Sequence, residues 1–283
     1  MNRLGLVLFG ACLLLLVLLG AAPVPPATVP ATAAAAIPTL FIAGDSTAAV
    51  NSATQTGWGV HFQDYFDPAK LKIVNGAKSG LSSRTFINNG SWEAIISKVK
   101  ANDYVIIQFG HNDNGPVDSF RFRGTMASLG EETQEAHNAQ GQPETVHTFG
   151  YYMRKMIGDV KAKKAIPIVV SMTVRGEWKD GKIERGFGDY ARLAGELAKA
   201  QGVRYIDLNN LVADRYQEMG PVAVKALFPA DTTHTNRAGG DINAQSIVAG
   251  IKALHEEKLI QALSAAGQAI EAGPAKYALA TKP

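Results

Sequence analysis

The sequence has 283 residues, 46% hydrophobic and 19% charged, the balance of a soluble globular chain of one large or two small domains. A net charge of +3 with no long basic block excludes nucleic acid as an implied partner. A single cysteine excludes a disulfide framework.

Met1-Asn2-Arg3 supplies a small positive region, and residues 5–20 are almost wholly apolar. Ala21-Ala22 then lead into a stretch rich in Pro, Ala, Thr and Val. This is the pattern of a secretory signal peptide over 1–22 and a flexible lead-in over 23–37. The apolar core of about 15 residues is short for a membrane span, and an uncleaved anchor is the alternative. Cys12 lies inside that core with apolar residues running on to Leu19, unlike a cysteine at a lipoprotein cleavage junction. Cleavage after residue 20 leaves a chain without cysteine that depends on its core, for which its length suffices. The expectation is an exported monomer, extracellular or periplasmic, off the membrane once cleaved.

Residues 40–43 form an apolar run stopped by Gly44-Asp45-Ser46, which predicts a buried strand of a parallel sheet. Ser46 then lies at the strand's carboxyl end, where open α/β sheets place their chemistry. Trp58, Phe62, Tyr65 and Phe66 recur at helical spacing and predict the core face of a helix. A second strand is expected over 71–74. The loop 77–86, rich in small residues, opens on the same end of the sheet as Ser46. A helix over 92–99 and the most apolar strand, 103–109, follow, ending in Gly110-His111-Asn112-Asp113. Residues 115–143 read as a long polar connection, which is usually functional or mobile. A helix is expected over 146–165, a strand over 167–172 and a loop over 175–188. Then come a helix over 190–200, a strand over 203–208 and helical segments over 211–219 and 222–228. The loop 229–236 carries Asp231 and His234, before helices over 238–254 and 259–270. Strands alternate with helices, which argues for a parallel sheet covered on both faces. One domain is expected over 38–273, with a tail over 274–283.

A serine hydroxyl is a poor nucleophile unless a base takes its proton. Asp231 and His234, three apart on one loop, supply a base and a group that fixes its tautomer. The N–H groups of Ser46 and Gly80 and the amide of Asn112 are candidate donors to a developing oxyanion. Gly80 lets the backbone approach a substrate closely.

Gly44-Asp45-Ser46, Gly80, Gly110-His111-Asn112-Asp113 and Asp231-Thr232-Thr233-His234 fall in the order of the four blocks of the SGNH (GDSL) hydrolases, which this chain resembles over about residues 39–255. Gly57-Trp58-Gly59, Ser82-Ser83-Arg84-Thr85-Phe86, residues 108–113 and Val146-His147-Thr148-Phe149-Gly150 look like the rhamnogalacturonan acetylesterase branch. The resemblance implies a three-layer α/β/α sandwich on a flavodoxin-like, parallel five-stranded sheet. It implies Ser46 as nucleophile, His234 as base, Asp231 as its orienter, and Ser46, Gly80 and Asn112 as the oxyanion hole. It implies no cofactor. The chain departs from the branch at Gly80-Leu81, where the branch usually has Gly-Arg, so an apolar side chain stands near the mouth.

Leu81, Arg84, His147 and Trp178 are carried as candidate substrate-binding residues. Trp178 could stack on a sugar or cap the core, and His147 could line the cleft or be structural. His111 could be imagined as a metal ligand with His234, but the usual ligand clusters are missing and no metal is expected. His255-Glu256-Glu257-Lys258 lacks a zinc-protease helix's second histidine. The stretch 176–183 mimics a phosphate loop but has Ile183 where Ser or Thr would hold magnesium. Asn89-Gly90-Ser91 fits a glycosylation acceptor. The expected function is a secreted carbohydrate esterase removing acetyl groups from plant cell-wall polysaccharide, with rhamnogalacturonan or pectin foremost. The rivals are a broad-range or lipid-directed esterase of the same fold and a non-catalytic carbohydrate-binding protein.

Overall fold

The computed structural model describes residues 36–280 apart from Phe187. The expected signal peptide with Cys12, and residues 23–35 of the lead-in, lie outside the described residues. Strand β1 (Thr39–Gly44) is buried on both faces from Leu40 onward. Successive side chains of a strand point to opposite faces. Leu40 and Ile42 therefore enter one core, and Phe41 and Ala43 a second one across the sheet.

The helix expected around Trp58–Phe66 is only a 3-10 turn over Phe62–Tyr65. The amides of Trp58 and Gly59 donate instead to the carbonyls of Thr47 and Ala48, at 2.9 and 3.2 Å, which takes them out of any helical ladder. The aromatic spacing still yields a cluster: Trp58, Phe62 and Phe66 meet edge to face, with centroids 5.3 and 5.2 Å apart.

Next come β2 (Lys72–Asn75), α1 (Ser83–Asn88), α2 (Ser91–Ile96) and the wholly buried β3 (Tyr104–Gln108). Ser82 and Thr85 form a reciprocal capping box at the start of α1. The stretch expected as a polar loop ends in an antiparallel hairpin, β4 (Thr133–His137) and β5 (Pro143–His147). The helix expected from residue 146 accordingly begins later, as α3 (Phe149–Ala162). Its N-cap Thr148 accepts from the amide of Tyr151 at 3.0 Å.

The second half contributes β6 (Ile166–Val170), a two-residue-per-arm hairpin β7 (Trp178–Lys179) and β8 (Lys182–Ile183), α4 (Tyr190–Ala200) and β9 (Arg204–Ile206). Helix α5 (Leu208–Lys225) is broken at Gly220, φ 79°, just before Pro221. Helix α6 (Arg237–Ala253) is capped by Asn236, and the short helices α7 (Glu257–Gln261) and α8 (Ala265–Gln268) replace the single helix expected there. The segment read as a tail carries β10 (Ala278–Leu279).

The main sheet has the order β10-β9-β6-β3-β1-β2. Its first five strands in sequence pair in parallel, in the flavodoxin-like manner, and β10 joins antiparallel on β9. The expected five-stranded sheet is thus six-stranded. The added strand is short, and it covers backbone groups that would otherwise leave β9 as an open edge. Helices pack on both faces, and the chain reverses direction of growth between β1 and β3. That switch point opens a crevice at the carboxyl ends of these two strands, where Ser46 and Asn112 stand.

Candidate active site

Ser46 follows β1 in a turn held from below by buried polar groups. Asp45 Oδ1 accepts from both the amide and the hydroxyl of Thr47 at 2.8 Å. Gln108, at the end of β3, donates to Thr47 Oγ1 at 3.2 Å and accepts the indole N–H of Trp58 at 2.8 Å. Asp45, Gln108 and Trp58 are each no more than 1% exposed, so these groups have little recourse to water. Burial pushes the Asp45 carboxyl above its ordinary range, with the Thr47 donors working against it. The Ser46 carbonyl accepts from the Asn51 side chain at 2.7 Å.

The β3 end brings up the second group. Asn112 spends one amide hydrogen on the Leu81 carbonyl at 2.9 Å, which orients the side chain and leaves the other hydrogen. Asp113 is fully buried and accepts from the Ser83 amide at 3.2 Å, from the Ser83 hydroxyl, and from Thr125 Oγ1 at 3.3 Å. It thereby ties the start of α1 to the β3 loop. Gly80, just before α1, has a φ of +80° that favours glycine. Burial raises the Asp113 carboxyl to about 7, against the lowering effect of Ser83. The amides of Ser46 and Gly80 donate to no acceptor among the described residues.

The third group stands on the loop before α6. Asp231 Oδ1 accepts from the amides of Thr233 and His234, each at 2.7 Å, and Oδ2 faces His234 Nδ1 at 2.7 Å. Partial burial would raise the Asp231 carboxyl. The amide and ring of His234 and the amide of Thr233 outweigh it and hold the group at about 2. His234 Nε2 lies 2.8 Å from Ser46 Oγ. With Nδ1–H donated to the carboxylate, Nε2 is the ring's acceptor for the serine hydroxyl. Two flanking segments hold the loop. Gln55 donates to Asp231 Oδ2 at 3.2 Å, and the Thr56 amide to the Thr235 carbonyl at 2.8 Å. On the other side, the Gly176 amide donates to the Thr232 carbonyl at 2.8 Å, and Thr232 Oγ1 to Glu177 at 2.7 Å.

Not all the sequence candidates arrive here. Arg84 is fully buried and pairs in two places with Glu144, while its Nη1 donates to the Val117 and Gly124 carbonyls at 3.2 and 3.1 Å. It fastens α1 to the β4–β5 hairpin and has no surface left for substrate. The His147 ring stacks on Tyr151 at 3.8 Å, joining the base of the hairpin to α3. Trp178 is partly buried and packs against the core on the α5–α6 side, and takes part in none of the contacts above that hold the crevice. Leu81 lines a groove beside Gly80, and its carbonyl holds the Asn112 side chain. His111 is buried against Thr173 Oγ1 at 3.0 Å, and burial drives its ring down to about 3, so it is neutral. Gln55, Asn51 and Glu177 also hold the site, at Asp231, the Ser46 carbonyl and Thr232. Each is an ordinary polar residue on a loop, and only tertiary contact distinguishes it.

A switch-point crevice with a serine, a histidine and an aspartate in hydrogen-bond sequence, and donors aimed beside them, defines an ester hydrolase of the SGNH kind. The chain matches the GDSL-like Lipase/Acylhydrolase family over residues 42–242 and belongs to it. A rhamnogalacturonan acetylesterase of Emericella nidulans is 34% identical over 218 residues, 75% of this chain and 84% of its own length. The rhamnogalacturonan acetylesterase RhgT of Bacillus subtilis is 29% identical, over 76% of this chain and 90% of its own. The solved structure of YxiM of Bacillus subtilis superposes with a TM-score of 0.63 at 29% identity, over 77% of this chain and 57% of that one. Axe2, an acetylxylan esterase of Geobacillus stearothermophilus, shares the fold at a TM-score of 0.52 and 18% identity, over 75% of this chain and 92% of its own. The chain is a carboxylic ester hydrolase.

Proposed function

We propose that this protein is an exported acetylesterase that removes O-acetyl groups from pectic polysaccharide, rhamnogalacturonan foremost, by way of an acetyl-enzyme. The run of Ser46 Oγ, His234 Nε2 and Asp231, with contacts of 2.8 and 2.7 Å, carries this reading. Ser46 Oγ attacks the acetyl carbonyl carbon and His234 Nε2 takes the serine proton. The oxyanion meets the amides of Ser46 and Gly80 and the remaining amide hydrogen of Asn112. His234 then gives its proton to the departing sugar oxygen. Water attacks the acetyl-enzyme, losing a proton to His234, which returns one to Ser46 Oγ as acetate leaves. Asp231 stays ionised throughout and holds the imidazole in its working tautomer. The names of the relatives support the polysaccharide, and residues 1–22 support export.

The test is acetate release from acetylated rhamnogalacturonan and acetylated xylan, beside acetyl and octanoyl model esters, with Ser46→Ala as the blank. Acetate from rhamnogalacturonan with slow octanoyl turnover is expected, and Ser46→Ala should lose about 10³-fold or more. A Ser46→Ala protein of near-full activity overturns the mechanism. Preference for the octanoyl ester moves the protein to the lipid-directed reading, which the apolar Leu81 beside Gly80 would favour.

A further inference from the structure

A groove of ≈ 610 Å³ runs from Gly80 to the tip of the β4–β5 hairpin, bordered by Leu81, Arg121, Phe122, Arg123 and Glu144. Its Gly80 end adjoins the crevice, because the carbonyl of Leu81, which also lines the groove, accepts from the side chain of Asn112 at 2.9 Å. Arg123 Nη1 donates to the Gly80 carbonyl at 3.1 Å, which places a guanidinium on a residue whose amide is assigned above to the oxyanion. Four further guanidinium N–H groups remain on that side chain.

The charges of the groove do not cancel. Its one carboxylate, Glu144, is held by Arg84 and also accepts from Asn88 at 2.6 Å. Neither Arg121 nor Arg123 pairs with a carboxylate among the described residues. Burial and then Arg121 press the Arg123 guanidinium below its ordinary range, with the buried Asp45 and Asp113 pulling back. Phe122 between the two arginines has a φ of +51°, a left-handed conformation that a bulky residue adopts only when its surroundings impose it. Phe120, 82% exposed, has the Arg121 guanidinium 5.3 Å from its ring centroid. Phe122 and the two unneutralised guanidinium groups all line the groove, and an apolar ring beside two cations suits an anionic sugar. A planar carboxylate matches the guanidinium fork, and the ring offers a face to a pyranose.

We propose that Arg123, with Arg121 beside it, is a carboxylate subsite that selects a uronate residue close to the acetyl group in the polysaccharide chain. The inference rests on reading Ser46 as the nucleophile of a polysaccharide deacetylase. It adds what selects the polymer: the arginines reward a polyuronate and offer nothing to a neutral xylan. Leu81 leaves the space beside Gly80 uncharged, and the cation arrives from the 115–126 loop instead.

The test compares wild type, Arg123→Gln and Arg123→Lys on acetylated rhamnogalacturonan and on a neutral acetylated xylan. Unacetylated oligogalacturonate serves as a competitive inhibitor of acetyl model-ester hydrolysis. Arg123→Gln keeps a donor for Gly80 but removes the charge, so the readout is a ratio and not a bare rate. The kcat/KM ratio of anionic to neutral polymer should fall about tenfold in Arg123→Gln, with inhibition by oligogalacturonate weakening by a similar factor. Arg123→Lys should recover most of both, and the wild-type preference should shrink as salt is raised. Equal losses on the two polymers with unchanged inhibition would reduce Arg123 to a brace for Gly80 and overturn the subsite. If wild type deacetylates rhamnogalacturonan and neither ratio nor inhibition moves, the subsite fails alone. If wild type deacetylates neither polymer, yet oligogalacturonate inhibition is strong and lost in Arg123→Gln, the subsite stands and the deacetylase reading falls. If that inhibition is absent in wild type, both fall.

Discussion

Ser46 and His234 meet across a 2.8 Å gap, but they are supported in opposite ways. Below Ser46 lies a floor of buried groups, Asp45, Thr47, Gln108 and Trp58, each satisfying a neighbour away from water. His234 and Asp231 stand on a loop with side chains 28% and 42% exposed, held by their own turn and by Gln55 and Glu177 at its flanks. The nucleophile is therefore positioned by the same interactions that stabilise the fold, whereas the base is positioned by local hydrogen bonds that the fold can lose without collapsing. Damage to the floor should appear in stability, and damage to the loop should appear in rate.

Three substitutions put that contrast to the test. The largest effect is expected at Asp231→Asn, where an amide lets the His234 ring settle in the wrong tautomer. A fall in kcat of about 10³- to 10⁴-fold is expected, with a melting temperature within a few degrees of wild type. A large loss of stability in that variant would show the loop to be part of the floor. Next comes Gln108→Ala, which strands the Trp58 indole N–H in the core and removes a donor from Thr47. Denaturant unfolding should show a loss of about 1–3 kcal/mol, and an unchanged midpoint would refute the idea of a supporting floor.

The smallest effect at any one pH step is a slope. Asp113 titrates at about 7 in the folded chain against an ordinary 3.8. Between those values the unfolded chain has given up this proton and the native chain has kept it, so stability falls as pH rises through that window. Asp113→Asn, which has no proton to give up there, should lack this contribution, about 1.4 kcal/mol per pH unit in wild type. Parallel stability–pH curves for the two proteins would show that Asp113 is already ionised in the fold.

The features legible in the sequence are those whose signal is local. β1 and β3 announce themselves as unbroken apolar runs because both their faces are buried. Helix α4 was bounded as it stands, by its apolar face and the stop at Gly202. The β4–β5 hairpin was illegible for the complementary reason: Ala136 and Val146 are its only buried residues, so no alternation marks it. The aromatic run before Phe66 misled because helical spacing also describes a cluster built on a 3-10 turn.

Legible from the chain alone are the alternation of strand and helix, the order of the motif blocks, and with them the chemistry that Ser46, Asn112, Asp231 and His234 can offer. Residue type and short spacing suffice for these, since a three-residue offset already lets Asp231 reach His234. The folded chain settles that Arg84 is spent internally on Glu144, that the segment read as a tail extends the sheet as β10, and that Arg123 reaches Gly80 across 43 positions of chain. These rest on contacts between distant segments. Whether a charged side chain faces a carboxylate, a carbonyl or an open groove depends on what the fold brings beside it, which no local pattern encodes.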